Sequence, residues 1–223
     1  MRCGYFTFCL LLFAAPATAA ILDASDYDAS RLLPPPPAEN STRTKAELKE
    51  LRGLAASSSA KRKAAATHDA KDESPDIFNS AIGFDIATAP QTQKLLQIVV
   101  DEEDQDTKAA KAFFHRLRPY SVDAALHPCE PTKPGKAANS YPSGHATLAF
   151  TMGIVLASML PDKAQAILAR ASEYSENRLV CGVHYRSDIV AGQQFGTILG
   201  LRLMQKPAFQ AQLAAAQAEL KNR

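Results

Sequence analysis

After its first 20 residues the chain has no run of about 20 uninterrupted apolar residues, the length a membrane-spanning helix needs. The nearest approach, Ala146 to Leu160, is shorter and reads as a buried core helix. Neither sign of charge dominates. With 25 Lys and Arg against 23 Asp and Glu, the formal net charge is +2. That leaves no electrostatic case for nucleic acid or a membrane surface as partner. No segment sustains the strict alternation of successive strands, and no internal repeat is visible, so sheet and solenoid classes are set aside. Cysteine is scarce at four residues, and two of these, Cys3 and Cys9, fall in the first 20.

Those first 20 residues read as a signal peptide, cleaved near Ala19 or Ala20. Arg2 supplies the charged start, Tyr5 to Ala15 the apolar run, and Ala17-Thr18-Ala19 an A-x-A cleavage pattern. Cleavage leaves residues 21–223, a size that suits one domain with a sizeable core. The expected product is soluble and exported, either periplasmic or secreted. Its remaining cysteines, Cys129 and Cys181, form an even pair. In an oxidising compartment such a pair suggests one disulfide, with two separate buried thiols as the other reading. A bond would close a loop of 52 residues, worth roughly 4 kcal/mol in the chain-entropy model.

The pattern along the chain is helical, which makes the fold class all-α, a single-domain bundle. Residues 21–44 read as an extended N-terminal strap, because "LLPPPP" at Leu32 to Pro37 must be polyproline-like. Leu48, Leu51 and Leu54 mark one face of a helix, and "SSSAKRKAAATHDAKD" reads as a solvated one. Two helices are expected next, Pro90 to Val100 and a second from about Asp106 to the residue before Pro119. From Tyr120 to Tyr141 there is no periodicity, and a loop of that length is usually functional. Four more helical stretches follow, at Gly144–Leu160, Asp162–Asn177, Asp188–Gln205 and Pro207–Lys221.

Three segments carry chemistry. In "KAFFHRLRP", Lys111 and Arg118 are seven residues apart, on one helical face about 10 Å along the axis. Two cations so placed converge on an anion or simply face solvent. In Pro142-Ser143-Gly144-His145, Ser143 caps a helix whose first N–H groups make an anion site. His145 adds a titratable proton there. In "NRLVCGVHYRSD", Arg178 precedes His184 and Asp188, which are four apart, so the carboxylate can reach the ring and fix its tautomer. Three strong cations, two histidines, one carboxylate and a helix start fit phosphoryl transfer, which is mostly a matter of positioning and neutralising three equatorial oxygens. One histidine can be the nucleophile and another the proton donor.

With these segments, K-x6-R-P, P-S-G-H and R-x5-H-x3-D, the chain resembles the type 2 phosphatidic acid phosphatase and vanadium haloperoxidase superfamily. It is most similar within it to bacterial class A non-specific acid phosphatases. "LLPPPP", "SYPSGHA", "LVCGVHYRSDI" and "KPAFQAQLAAAQAEL" extend the resemblance over nearly the whole mature chain. The resemblance implies an all-α bundle and an acid phosphatase that acts on small phosphomonoesters through a phosphohistidine, without metal or other cofactor. It implies His184 as nucleophile and Asp188 as the group orienting it. His145 would be the general acid, and Lys111, Arg118, Arg178, Ser143 and Gly144 would hold the phosphate. It also implies inorganic phosphate or vanadate as ligands, strengthens the Cys129–Cys181 disulfide, and suggests a homodimer. The family usually has Ser where this chain has Asn177, which bears on fine positioning. Other readings are a nucleotide or lipid phosphatase on the same fold, a haloperoxidase, and a phosphate-binding protein without turnover. A metal hydrolase built on His127, His145, His184 and Asp188 is disfavoured, because three neighbouring cations would repel a divalent ion. His68, His115 and His127 read as ordinary surface or loop residues.

Overall fold

A computed structural model describes residues 20–132 and 134–221. The expected leader lies outside the described residues apart from Ala20. Two single-turn helices, α1 (Ala24–Tyr27) and α2 (Ala29–Leu32), each begin at an aspartate, Asp23 or Asp28, that caps the first turn. An extended proline segment leads to α3 (Thr42–Ser57), capped by Ser41, and then to α4 (Ala60–Asp69), capped by Ser59. Two 3-10 turns flank α5 (Asn79–Ile82) and lead into the long α6 (Pro90–Phe114). The single turn α7 (Pro119–Val122) opens a loop, after which come α8 (Gly144–Met159), α9 (Ala164–Val180), α10 (Arg186–Gln205) and α11 (Pro207–Lys221). No strand occurs among the described residues, in agreement with the all-α reading.

The core is built around α8. Its apolar residues point all ways, with Leu148, Ala149, Met152, Val155 and Leu156 buried. Such a helix must be surrounded, and α6, α9 and α10 surround it. Its tightest neighbour is α10, which turns Gly192, Gly196 and Gly200 toward it. A Cβ at Gly192 would fall 2.6 Å from the Ser143 carbonyl oxygen, and one at Gly196 would overlap the Thr147 carbonyl oxygen. Glycine four residues apart therefore lets the two backbones touch.

The structure changes four sequence expectations. The segment 90–114 is one 25-residue helix rather than two. The acidic stretch read as a break contains no Gly or Pro, and its side chains are engaged. Gln97 donates to Asp101 and Lys108 to Asp104 at i,i+4 spacing. That helix ends at Phe114, where His115 adopts the left-handed conformation at φ 48°. Arg118 is thus not on the Lys111 helix face but arrives on the extended segment that follows. Residues 21–44 are not uniformly extended, since they include α1, α2 and the start of α3. They are nevertheless packed on the body: Leu22 and Leu33 are buried, and the Tyr141 hydroxyl donates to the Pro34 carbonyl at 2.6 Å. Finally, α4 is not simply solvated. Ala66 is buried, and Asp69 is paired with Arg170 of α9 at 2.7 and 3.0 Å.

The glycine contact yields a stability prediction. Gly196→Ala should cost roughly 1–3 kcal/mol or more by overpacking, read from chemical denaturation. A midpoint equal to that of the parent protein would show that α8 and α10 can part at no cost.

Candidate active site

The left-handed turn at Gly182, φ 67°, reverses the chain after α9 and starts the approach to α10. His184 lies on that approach and Asp188 in the first turn of α10. Asp188 Oδ2 accepts from the Tyr185 backbone N–H at 2.8 Å and from the Ser140 hydroxyl at 2.6 Å, and lies 3.4 Å from His184 Nδ1. The ring's other nitrogen, Nε2, is 3.3 Å from Arg118 Nη1, and the same guanidinium nitrogen donates to the Val183 carbonyl at 3.0 Å. Both His184 and Asp188 are buried.

The helix start carrying Ser143, Gly144 and His145 is pinned to that pair. Ser143 N–H donates to the Asp188 carbonyl at 3.0 Å, and the Ser143 hydroxyl accepts from Ala146 N–H at 3.4 Å. Gly144 leaves room for Lys111: a Cβ there would lie 3.0 Å from the lysine Nζ. His145 stacks on Tyr174, with ring centroids 5.4 Å apart. Its Nδ1 faces Glu73 at 3.1 Å and its Nε2 the Ala70 carbonyl at 3.3 Å. Arg178 comes from the last turn of α9, and its Nη2 donates to Glu130 at 2.5 Å. Glu130 follows Cys129, whose disulfide to Cys181, with Cα atoms 4.7 Å apart, ties the loop to the end of α9. The structure therefore brings together all eight residues singled out, although Lys111 and Arg118 come from separate elements.

Burial dominates the behaviour of these groups, with neighbouring charges second. Burial first, then Arg118, Arg178, Lys111 and His145, holds the His184 ring well below its usual pKa. His145 is held low by burial and by Arg178, Lys111 and Arg118, against a smaller opposing effect of its bond to Ala70. Burial pushes Lys111 down to about 8, with the Arg118 charge acting in the same direction. Asp188 is pushed up to about 6 by burial, against the attraction of Arg116 and its hydrogen bonds. Both histidines are thus held toward the neutral form beside three cations, of which Arg178 is already paired with Glu130.

Sequence reasoning passed over Arg116 and Glu47. Arg116 is buried, lies 4.0 Å over the Tyr185 ring, and donates at 2.6 Å to both Asp188 Oδ1 and the Ser187 hydroxyl. Glu47 of α3 accepts from Arg116 at 3.3 Å and from Ser187 N–H at 3.1 Å. The signal was the "RLR" of the first segment, in which only the second arginine was taken. Asn177 is buried and donates to Asp69 at 2.6 Å, so it joins the Asp69–Arg170 pair rather than the phosphate-side cations. His68, His115 and His127 are exposed. Among the described residues, no group of three or more His, Cys, Asp or Glu side chains is arranged to hold a metal ion, and no helix is long and apolar enough to cross a membrane.

Comparison with known proteins matches residues 95–211, just over half of the chain, to the PAP2 superfamily. The chain belongs to that superfamily, and the match contains the eight residues singled out in the three segments. It is 29% identical over 238 residues to a non-specific acid phosphatase of Salmonella typhi, covering 100% of this chain and 94% of that one. It is 32% identical over 149 residues to a non-specific acid phosphatase of Providencia stuartii, covering 65% and 60%. The solved structure of a bacterial vanadium-dependent iodoperoxidase shares the fold with a TM-score of 0.59 and 20% identity. The match covers 78% of this chain and about half, 52%, of that protein.

Two substitutions test the geometry. Arg116→Ala leaves the buried Asp188 carboxylate without its guanidinium and Glu47 with only the exposed Arg43, and should cost about 3–5 kcal/mol; a loss under 1 kcal/mol in denaturant titration would contradict the pairing. Glu130→Gln removes the anion that Arg178 holds. Inorganic phosphate should then inhibit at several-fold lower concentration, and an unchanged inhibition constant would mean that Glu130 and phosphate do not compete.

Proposed function

We propose that the protein is an exported acid phosphatase that hydrolyses small phosphomonoesters through a phosphohistidine on His184. The observation that carries this reading is the buried His184 ring, with Asp188 on Nδ1 and its Nε2 turned to Arg118. A carboxylate on Nδ1 keeps the proton there and leaves Nε2 as the free lone pair. That lone pair faces the cations, where a phosphoryl group would be held by Lys111, Arg118, Arg178, the Ser143 hydroxyl and the Gly144 N–H at the start of α8.

In this scheme Nε2 attacks phosphorus as the ester oxygen departs, and His145 gives that oxygen its proton. The donating nitrogen would be Nδ1, because Nε2 is engaged by the Ala70 carbonyl whereas Glu73, the partner of Nδ1, is 63% exposed. Neutral His145 then takes a proton from water, which attacks the phosphohistidine and releases phosphate. An alcohol in place of that water gives phosphoryl transfer. A bound phosphate adds negative charge beside both rings and the three cations. It raises the pKa of His145 from its depressed value so that the ring can be charged, and the hydrogen bond to Asp188 stabilises the ring of His184 as it gains positive charge. The chemistry asks for no metal. The full-length similarity to acid phosphatases and the Ala17-Thr18-Ala19 leader pattern support activity and export respectively. Export of residues 21–223 as one domain belongs to the same proposal.

The direct test is release of a chromogenic phenol from its phosphate ester at about pH 5–6 with EDTA present, beside His184→Ala. Turnover that survives the chelator and disappears in the variant is expected; equal turnover in both would mean another nucleophile. Because His145 must be protonated in the complex, kcat should fall as pH rises through the pKa of that histidine with phosphate bound. A kcat flat above pH about 8 would contradict this role.

A further inference from the structure

Three carboxylates are buried side by side on α6, at Glu102, Glu103 and Asp106. Glu103 accepts from the Thr107 hydroxyl and feels the Lys111 charge. Glu102 turns away from the active site and binds backbone: Oε1 accepts from Ile21 N–H at 2.7 Å, and Oε2 from Leu22 N–H at 3.0 Å. Asp106 stands one turn along on the same face. It is 2% exposed, and its Oδ2 has no hydrogen-bond partner among the described residues. A buried carboxylate with an unsatisfied oxygen calls for a donor, and a cation is the strongest one. Among the described residues no lysine, arginine or histidine forms an ion pair with Glu102 or Asp106. The nearby Lys206 is engaged by Asp26 and Asp23, and Arg202 by the carbonyls of Ser25 and Asp26.

The backbone that Glu102 holds is the junction where the leader is expected to end. Leu22 is in the core, Ile21 is half-buried and Ala20 is exposed, so the chain leaves the core at this point. Ala17-Thr18-Ala19-Ala20 immediately precedes it. We propose that Glu102 and Asp106 form a buried ammonium site whose ligand is the α-amino group created at Ile21 when the leader is removed after Ala20. The proposal rests on the export reading above. A signal peptidase adds water across the Ala20–Ile21 peptide bond. The carboxylate departs with the leader, and the amine stays and takes up a proton at neutral pH. One N–H of the new ammonium keeps the Glu102 bond, and the others serve Asp106. Processing thus changes a neutral amide donor into a charged one next to carboxylates that have no other cation among the described residues.

Glu102 is the group seen to hold this nitrogen; around Asp106 stand Glu102 and Glu103 on α6 and Asp26 on α1, the last already paired with Lys206. Burial, with Glu102, Glu103 and Asp26 adding to it, pushes the Asp106 carboxyl up to about 8. An ammonium opposes that shift, and the carboxylates in turn raise the amine above its ordinary range. The sign follows: the amine's contribution to stability is full below the ordinary α-amino pKa and is lost as pH rises through the raised one.

The test compares disulfide-intact protein starting at Ile21 with protein starting at Ala20, both released from a fusion tag so that neither depends on export. The Ile21 amine should be acylated about tenfold more slowly than the Ala20 amine at pH near 7.5, corresponding to a rise of about one pKa unit. Its protein should melt higher at pH 6, with the gap closing at pH 10. Asp106→Asn should remove most of the gap by lowering only the Ile21 form. Equal acylation and equal melting would overturn the site. N-terminal sequencing of protein exported with its own leader tests the source of the amine. Ile21 first supports the proposal, and Ala20 first overturns it. Slow acylation without any export would sink the export reading and leave the ammonium site standing, whereas export starting at Ile21 with a freely reactive amine would do the reverse.

Discussion

The near-contact of α8 and α10 is the constraint on which the rest of the structure depends. Gly192 and Gly196 let the α10 backbone lie against the Ser143 and Thr147 carbonyls. That closeness allows the Ser143 N–H to bond the Asp188 carbonyl at 3.0 Å. Two segments more than 40 residues apart in sequence thereby become one site. One presents a helix start with Ser143, Gly144 and His145; the other presents His184 with its carboxylate. A larger residue at either glycine would push apart the anion-binding end and the nucleophile end together. Lys111 depends on a related economy of space, since the bare Cα of Gly144 is what admits its ammonium.

Around this contact the charges are arranged in two layers. The inner layer, Lys111, Arg118 and Arg178 with two neutral histidines, suits a phosphate. The outer layer is self-compensating. Arg116 joins Asp188 to Glu47 and Ser187, so the carboxylate that orients His184 is held from α3 as well as from α10. Asp69 binds both Arg170 and Asn177 beneath Arg178. A buried cation or carboxylate is tolerated only where such partners exist, and this requirement makes the bundle's interior specific rather than merely apolar. The disulfide adds a covalent tie where the long loop, carrying Glu130, meets the end of α9.

The boundaries of α8 and α11 could be read from the chain almost to the residue. Ser143 before an apolar run and Pro207 at a first turn are strong local signals. The chemistry-bearing residues were also legible, because each lies in a short segment with a recognisable spacing. The continuity of α6 was not, since its middle is acidic and pattern-poor; its helix is held by i,i+4 pairs and by contacts with the N-terminal strap. The true approach of Arg118 was missed because nothing local announces that His115 turns left-handed. Arg116 and Glu47 could not be paired by eye: they are 69 residues apart, and their partnership exists only once the segment after α6 lies against α3. The glycines of α10 were visible at i,i+4 spacing, but their meaning depends on which helix they face.

The most direct measurement is the site of covalent phosphate during turnover. Protein quenched in alkali within milliseconds of mixing with a phosphomonoester should carry phosphate on the peptide containing His184, labile to acid and stable to base. Phosphate on another residue, or turnover with no labelled protein under conditions that trap a known phosphohistidine, would contradict the account.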